Sequence, residues 1–235
     1  MITFSIVSHN QGALVNDLLL NFTNLNDFPF DLIVTSNTVE DVPINNVQDF
    51  QIKIIRNSHP KGFGANHNQA FANSLSNFFV VLNPDITFKI LNIKKLISHF
   101  TDKKNVGIVS PSITNSQGQL EDSARQFPTF SKLILKSLGF DNYILPQKVE
   151  QVDWVAGMFM LISREVFLNV KGFDDNRFFM YYEDVDLCAR VKKMGYRIIY
   201  DPTVSIVHDA RRASRRNLRH MKWHLTSMFR YLSGI

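Results

Sequence analysis

A single cysteine, Cys188, in a chain of 235 residues leaves no partner for an internal disulfide, and such sparing use of thiols suits a reducing compartment. No stretch reaches the roughly 18 consecutive apolar residues that a membrane-spanning helix needs. The first residues, MITFSIVSHN, lack the basic start and long apolar core of a secretory leader. These absences set the expectation of a cytoplasmic protein. Repeats and low-complexity linkers are also lacking, so one continuous domain is expected, long enough to bury a substantial core. Most of the chain carries no excess of charge. Of the net +5, the segment His208–Ile235 alone holds +6, with six arginines and one lysine against one aspartate, which leaves −1 for residues 1–207. A near-neutral body without a basic face argues against a nucleic-acid binder. No nucleic-acid partner is expected, and the basic C-terminal segment needs an explanation of its own.

What is present reads as alternating strands and helices. TFSIVSH (3–9), FDLIVTSN (30–37), FQIKIIRN (50–57) and FFVVLN (78–83) are apolar or alternating runs of strand length. Between them, residues 11–25 and 64–75 carry helical periodicity. This order predicts an α/β fold with a mostly parallel central sheet and helices on both faces. The second half predicts a strand at 105–113, a helix near 130–139, and a strand or strand pair at 153–163. It then predicts a short helix ending near Gly172, a helix at 183–195 and a strand at 196–202. The helix at 183–195 has acids in its first turn, lysines near its end and a glycine stop. The expected organisation is one domain in two halves, 1–104 and the less regular 105–207, followed by a basic segment, 208–235.

The predicted strands end in polar residues: Ser8-His9-Asn10, Ser36-Asn37, Asn57 and Asn83-Asp85. Open α/β sheets bind ligands at the carboxyl ends of their strands. Asp85 follows a proline at the end of a buried-looking strand, with an amide two residues earlier. That pattern suits a ligand for a hard divalent cation that also touches phosphates, although a loop aspartate more often faces solvent. In NSHPKGFGANHNQA (57–70), Gly62 and Gly64 allow a tight backbone path into a helix N-terminus that can receive a polar ligand. A plain turn with a cap explains it equally well, and neither the dinucleotide fingerprint nor the Walker A pattern is met. In FFMYYEDVDLCAR (178–190), Glu183, Asp184 and Asp186 follow an aromatic run. Repulsion and an apolar wall raise carboxylate pKa values, one route to a general base. Capping accounts for one or two of these acids. His208, at a strand end, is either structural or a further cation ligand. The remainder reads as a basic helix suited to a solvated face, an anionic membrane surface or a diphosphate.

Taken in order, VSHN, GFGANHNQA, LNPD and DWVAGMFMLISREVF…GFDDNRFFMYYEDVDLCARVKKMGYRIIYDP…VH resemble the family 2 glycosyltransferases over nearly the whole chain, and most closely the bacterial rhamnosyltransferases of O-antigen and capsule assembly. The resemblance implies a GT-A fold and inverting sugar transfer from a nucleoside diphosphate. It places Asn83 and Asp85 at the metal-binding Asp-x-Asp element, with Asn for the first Asp, so Asp85 carries the coordination together with His208. Asp184 matches the proposed catalytic base within the Glu183-Asp184 pair. Ser8, Asn10, Ser36 and Asn37 fall where the nucleoside binds, Gly64 and Asn66 in the loop near the donor, and Asp153 and Trp154 at the start of the acceptor side. Implied with these are Mg²⁺ or Mn²⁺, a nucleoside-diphosphate sugar (dTDP-rhamnose first, a UDP-sugar second) and a polyprenyl-diphosphate-linked saccharide acceptor. A non-catalytic sugar-nucleotide or nucleic-acid binder is the alternative from another class. A lipid-linked acceptor gives the basic segment a role on the cytoplasmic face of the inner membrane. Arg211, Arg212, Arg215, Arg216 and Arg219 would hold anionic headgroups or the lipid diphosphate, and Trp223 and Phe229 would enter the interface.

Overall fold

The apolar run Phe78–Leu82 is unbroken because both of its faces are covered. In the computed structural model, which describes residues 1–25, 28–39, 50–102, 104–131, 139–140, 143–208 and 218–234, it forms the strand β4 at the centre of the sheet. The order is β1 Ile2–Ser8, α1 Gly12–Phe22, β2 Phe30–Ser36, β3 Ile52–Arg56, α2 Phe63–Ala72, β4 Phe78–Leu82, β5 Ile86–Thr87, α3 Ile93–Asp102 and β6 Val106–Thr114. There follow β7 Ala124–Arg125, β8 Glu150–Val152, β9 Trp154–Val155, β10 Phe159–Ser163, α4 Arg164–Asn169, α5 Glu183–Lys193, β11 Arg197–His208 and α6 Leu218–Ser233. The main sheet runs β3-β2-β1-β4-β10-β6-β11-β5, with β8 on β11, while β7 and β9 make a separate ribbon. β3, β2, β1, β4, β6 and β11 share one direction, and β10, β5 and β8 run against it.

Alternation along the central strands divides the core in two. Ile2, Phe4, Ile6, Val80 and Leu82 face Val15, Leu18, Leu19 and Phe22 of α1 and Leu96 of α3. Phe79, Val81, Met160 and Ile162 face Ala70 and Phe71 of α2, Phe167 of α4, and Leu187, Cys188 and Val191 of α5. Phenylalanines fill both layers: Phe22 meets Phe4 edge-on at 4.8 Å and Phe88 at 5.3 Å, and Phe71 lies 4.4 Å from Phe167. Such pairs add about 0.5–1.5 kcal/mol each beyond the area they bury. The mixed α/β sheet, covered by helices on both faces, matches the sequence expectation.

Three elements depart from that expectation. The strand beginning at Arg197 does not stop at Pro202. A register shift between Asp201 and Ser205 absorbs the proline and the pairing continues to His208. Helix α3 forms over residues for which the expectation held no element. The strand or strand pair expected at 153–163 forms as two strands, separated at Ala156–Met158, that do not pair with each other but join different sheets. The helix expected over 130–139 lies mostly outside the described residues.

Candidate active site

The strand ends make one polar edge. Asn37 N donates to Ser8 O (2.8 Å) and Asn57 N to Ser36 O (3.0 Å), tying β1, β2 and β3 together just past their last residues. Ser8 and Ser36 are buried; Ser8 Oγ accepts from Gln11 N, and Ser36 Oγ donates to Thr38 O. Asn10 takes a left-handed backbone (φ 58°), and its Oδ1 accepts from Thr38 Oγ1 at 2.7 Å. Asn57 Nδ2 donates to both Asn37 Oδ1 (2.9 Å) and Asn66 Oδ1 (2.7 Å). Asn37 Oδ1 also accepts from Lys61 N, and the Asn37 and Asn66 amides donate to Lys61 O. These buried asparagines therefore pin the 57–62 loop to the sheet edge. In the sequence Asn57 is only a polar strand end, and its bridging role has no sequence signal.

The two glycines serve packing. A Cβ on Gly62 would lie 2.4 Å from Phe179 O, and one on Gly64 2.6 Å from Phe173 Cβ. Phe63 N donates to Phe179 O at 2.9 Å. The start of α2 is thus pressed against the segment that leads into α5. Below it, His67 is fully buried with Nδ1 on Ser5 Oγ at 2.8 Å, and burial pushes its pKa down to about 3, so this imidazole is neutral.

At the end of β4, Asn83 N donates to Met158 O (3.1 Å) and Ile86 N to Asn83 O (3.3 Å), turning the chain so that Asp85 meets β11. His208 Nε2 stands 3.2 Å from Asp85 Oδ1, and His208 Nδ1 lies 2.7 Å from Glu121 Oε2. Asp85 Oδ1 is buried without a hydrogen-bond partner, so the 3.2 Å approach is an ionic contact only. Burial opposes charging His208, but the two carboxylates outweigh it and raise its pKa. Glu121 sits in a stretch of weak periodicity, and its sequence position does not betray this role.

The second carboxylate site follows a strained turn. Tyr181 and Tyr182 both adopt left-handed backbone, φ 70° and 64°, a conformation that costs a non-glycine residue about 1–2 kcal/mol. Glu183 follows, 6% exposed, with Oε2 buried and unpartnered. Burial first, and then the neighbouring Asp184 charge, raises its pKa well above the ordinary range. Asp184 is partly exposed. Its Oδ2 accepts from Gly157 N (3.0 Å) and its Oδ1 from Val185 N (2.8 Å). Burial raises its pKa too, against the pull of those N–H groups. Asp186 is structural, held by Arg190 Nε at 2.7 Å and Arg177 Nη1 at 3.3 Å. Asp153 is likewise engaged, by Lys192 Nζ (2.5 Å) and Phe127 N (3.0 Å), and Trp154 Nε1 donates to Gln126 O. Both therefore tie the β7–β9 ribbon to its surroundings.

The β4–β10 pairing brings the two carboxylate sites together. Phe159 pairs with Leu82, Met158 O receives Asn83 N, and the next residue back, Gly157, donates to Asp184. Helix α6 closes the rear of the aromatic run. Tyr181 OH meets His220 Nδ1 at 2.8 Å, Ser227 Oγ donates to Met180 O at 2.9 Å, and Phe179 lies 4.9 Å from Trp223. Tyr182 contacts Tyr231, whose pKa burial pushes up to about 12. Trp223 therefore packs inward instead of entering an interface. Arg219 lies on the exposed side of α6, whereas Arg211, Arg212, Arg215 and Arg216 fall outside the described residues.

Solved structures share this architecture. That of GalNAc-T7 with UDP, GalNAc and Mn²⁺ aligns at TM-score 0.69 with 12% identity, over 90% of this chain and 44% of that one. That of a Pyrobaculum calidifontis mannosyltransferase with GDP-Man and Mn²⁺ aligns at 0.66 with 17% identity, over 97% and 64%. The fold is that of the GT-A glycosyltransferases. The model for glycosyl transferase family 2 matches residues 3–170, and the chain belongs to that family. It is 31% identical to the rhamnosyltransferase WbbL of Escherichia coli, over 99% of this chain and 93% of that one. It is 23% identical to the N-acetylglucosaminyl-diphospho-decaprenol L-rhamnosyltransferase of Mycobacterium tuberculosis, over 97% and 82%.

A divalent cation is implied by the family. Among the described residues no three His, Cys, Asp or Glu side chains form a ready-made metal cage. Mg²⁺ and Mn²⁺ sites at phosphates need only one or two carboxylates, with water and phosphate oxygens completing the shell. The unpartnered Asp85 Oδ1 beside His208 Nε2 fits that donor set.

Proposed function

We propose that the chain is a metal-assisted inverting hexosyltransferase. It moves rhamnose from dTDP-rhamnose onto a saccharide carried by a polyprenyl diphosphate, in the synthesis of a surface polysaccharide such as O-antigen or capsule. The observation that carries this reading is the convergence of Asp85–His208 and Asp184 at one end of the β4–β10 pair. One group suits a diphosphate-bound cation and the other a hydroxyl proton. The rhamnosyltransferase relatives support the sugar, and the decaprenol-linked relative supports the acceptor class.

Ser8, Asn10, Ser36 and Asn37 form the rim for the nucleoside. Asn66 fixes the loop beside the donor, and Gly64 lets α2 close onto Phe173. Asp85 and His208 would hold Mg²⁺ or Mn²⁺, which when bound neutralises charge growing on the departing diphosphate. Glu121 fixes the orientation of His208, as second-shell carboxylates do for metal-binding imidazoles. Asp184 accepts the proton of the acceptor hydroxyl as that oxygen bonds to the sugar C1 from the face opposite the diphosphate. The bond from C1 to the diphosphate oxygen breaks, and the nucleoside diphosphate leaves with its electron pair. Base catalysis supplies about 10²–10⁴-fold, and alignment of the two substrates a further large share. Burial raises the proton affinity of both Glu183 and Asp184. Asp153 and Trp154 shape the acceptor wall through the ribbon they anchor. The enzyme works on the cytoplasmic face of the membrane that carries its acceptor.

A UDP-sugar donor is the second reading, suggested by the UDP and UDP-GlcNAc bound in structures of similar fold. Calorimetric titration of dTDP-rhamnose, UDP-glucose, UDP-galactose, UDP-N-acetylglucosamine and GDP-mannose, with and without Mn²⁺, separates the two. Mn²⁺-dependent binding of dTDP-rhamnose alone is expected. Preference for a UDP-sugar replaces the donor, and binding of none contradicts the proposal.

A further inference from the structure

Helix α6 has two faces with different work. Its inner face, with His220, Trp223, Ser227 and Tyr231, grips the aromatic run ahead of Glu183 and Asp184. Its outer face carries Leu218, Met221, Leu225 and Phe229, which are 77, 54, 52 and 62% exposed. Spacings of three, four and four residues place these side chains in one stripe along the helix. Large apolar side chains are exposed elsewhere too, Leu75 and Ile90 among them, but four in line on one helix face mark a contact surface.

Charge decides what the surface meets. Lys222 borders the stripe, Arg219 lies further round the helix over the edge-lying Trp223 ring (5.8 Å) with its side chain exposed, and no acidic residue occurs from Ala210 to Ile235. A second copy laid on this face would bring the Arg219, Lys222 and Arg230 charges of two α6 helices together with no acid between them, which is unfavourable at short range. A nucleic acid has no use for the apolar stripe. A bilayer bearing anionic headgroups satisfies both features, since the apolar side chains enter the acyl boundary while the cations stay among the phosphates. No described helix is long and apolar enough to cross a membrane, which agrees with a helix lying in the interface plane.

From this we infer that the outer stripe of α6, Leu218, Met221, Leu225 and Phe229 with Lys222 beside it and Arg219 further round the helix, is a docking surface for an anionic phospholipid bilayer. The helix then lies along the membrane with its inner face still clamped to the Tyr181–Tyr182 turn. The turn that leads into Glu183 and Asp184 is thereby held on the inner side of a helix whose outer side meets the lipid. The surface is argued from α6 alone and does not depend on the identity of the donor sugar.

The test is flotation of the full chain with vesicles of phosphatidylcholine alone and of phosphatidylcholine containing phosphatidylglycerol, at low and high salt. The wild type and Leu225→Gln/Phe229→Gln are compared, with nucleotide-sugar binding measured on both proteins. Expected is binding to the anionic vesicles only, weakened by salt, and reduced at least about tenfold in the double variant while nucleotide-sugar binding is unchanged. Absence of wild-type binding to anionic vesicles overturns the inference. So does unchanged binding by the double variant, or a wild-type dimer that the double variant abolishes. Failure of the glycosyltransferase reading would show separately, as absent nucleotide-sugar binding with vesicle binding intact.

Discussion

Glu183 and Asp184 are neighbours with different surroundings. Asp184 has two backbone N–H partners and a partly exposed position, while Glu183 is buried with one oxygen unsatisfied. Burial raises the pKa of Glu183 above its unfolded value, so the folded state holds that proton more tightly. The stability it lends is complete below the unfolded pKa and is lost as pH rises through the folded one. Glu183→Gln cannot ionise. Its Tm is expected to lie near wild type at about pH 4 and above wild type at about pH 8; a lower Tm at the higher pH would contradict this placement. The same logic applies at His208, where Asp85 and Glu121 outweigh burial. Glu121→Gln removes one of those charges, so NMR titration of the His208 ring is expected to show a lower pKa. An unchanged value would mean that Glu121 does not govern this imidazole. Asp85, Asp184 and His208 were legible as candidates from their place at strand or helix ends. Glu121 was not, because its partner lies 87 positions away and its own stretch has no periodicity.

At the scale of elements, the sheet and its helices were legible because strands buried on both faces leave apolar runs and helices leave a 3.6-residue period. Short pieces such as β5 and β7 leave weaker traces, whereas α3 carries Ile93, Leu96, Ile97 and Phe100 at helical spacing and is legible from that period. The loop before α2 shows what a motif conceals. Its glycines read as a ligand cradle, yet they let the backbone approach Phe179 and Phe173. Gly62→Ala forces a methyl group against Phe179 O and is expected to cost about 1–3 kcal/mol in chemical unfolding. Because that contact joins α2 to the run before Glu183, sugar transfer should fall as well. A Gly62→Ala protein of wild-type stability would show that the close approach carries no energetic weight. Trp223 gives the opposite lesson. The lipid-linked acceptor implied by the resemblance put it in a membrane interface, whereas tertiary contact with Phe179 places it on the inner face of α6.

Across the whole molecule, a near-neutral α/β body and a basic C-terminal segment perform separable tasks. The body gathers two carboxylate sites at the end of one strand pair, β4 and β10, through a ladder that no local sequence pattern announces. The order of motifs made the family legible; the registers that bring Asn83, Met158, Gly157 and Asp184 into sequence across that ladder required the structure. The account rests on Asp184 as the base. Its most direct test is the rate of sugar transfer from the bound donor to a polyprenyl-diphosphate-linked N-acetylglucosamine acceptor, measured for the wild type and Asp184→Asn with Mn²⁺ present and donor affinity checked in parallel. The account predicts donor binding within about twofold of wild type and turnover lower by about 10²–10⁴-fold. Transfer by Asp184→Asn at the wild-type rate would contradict it.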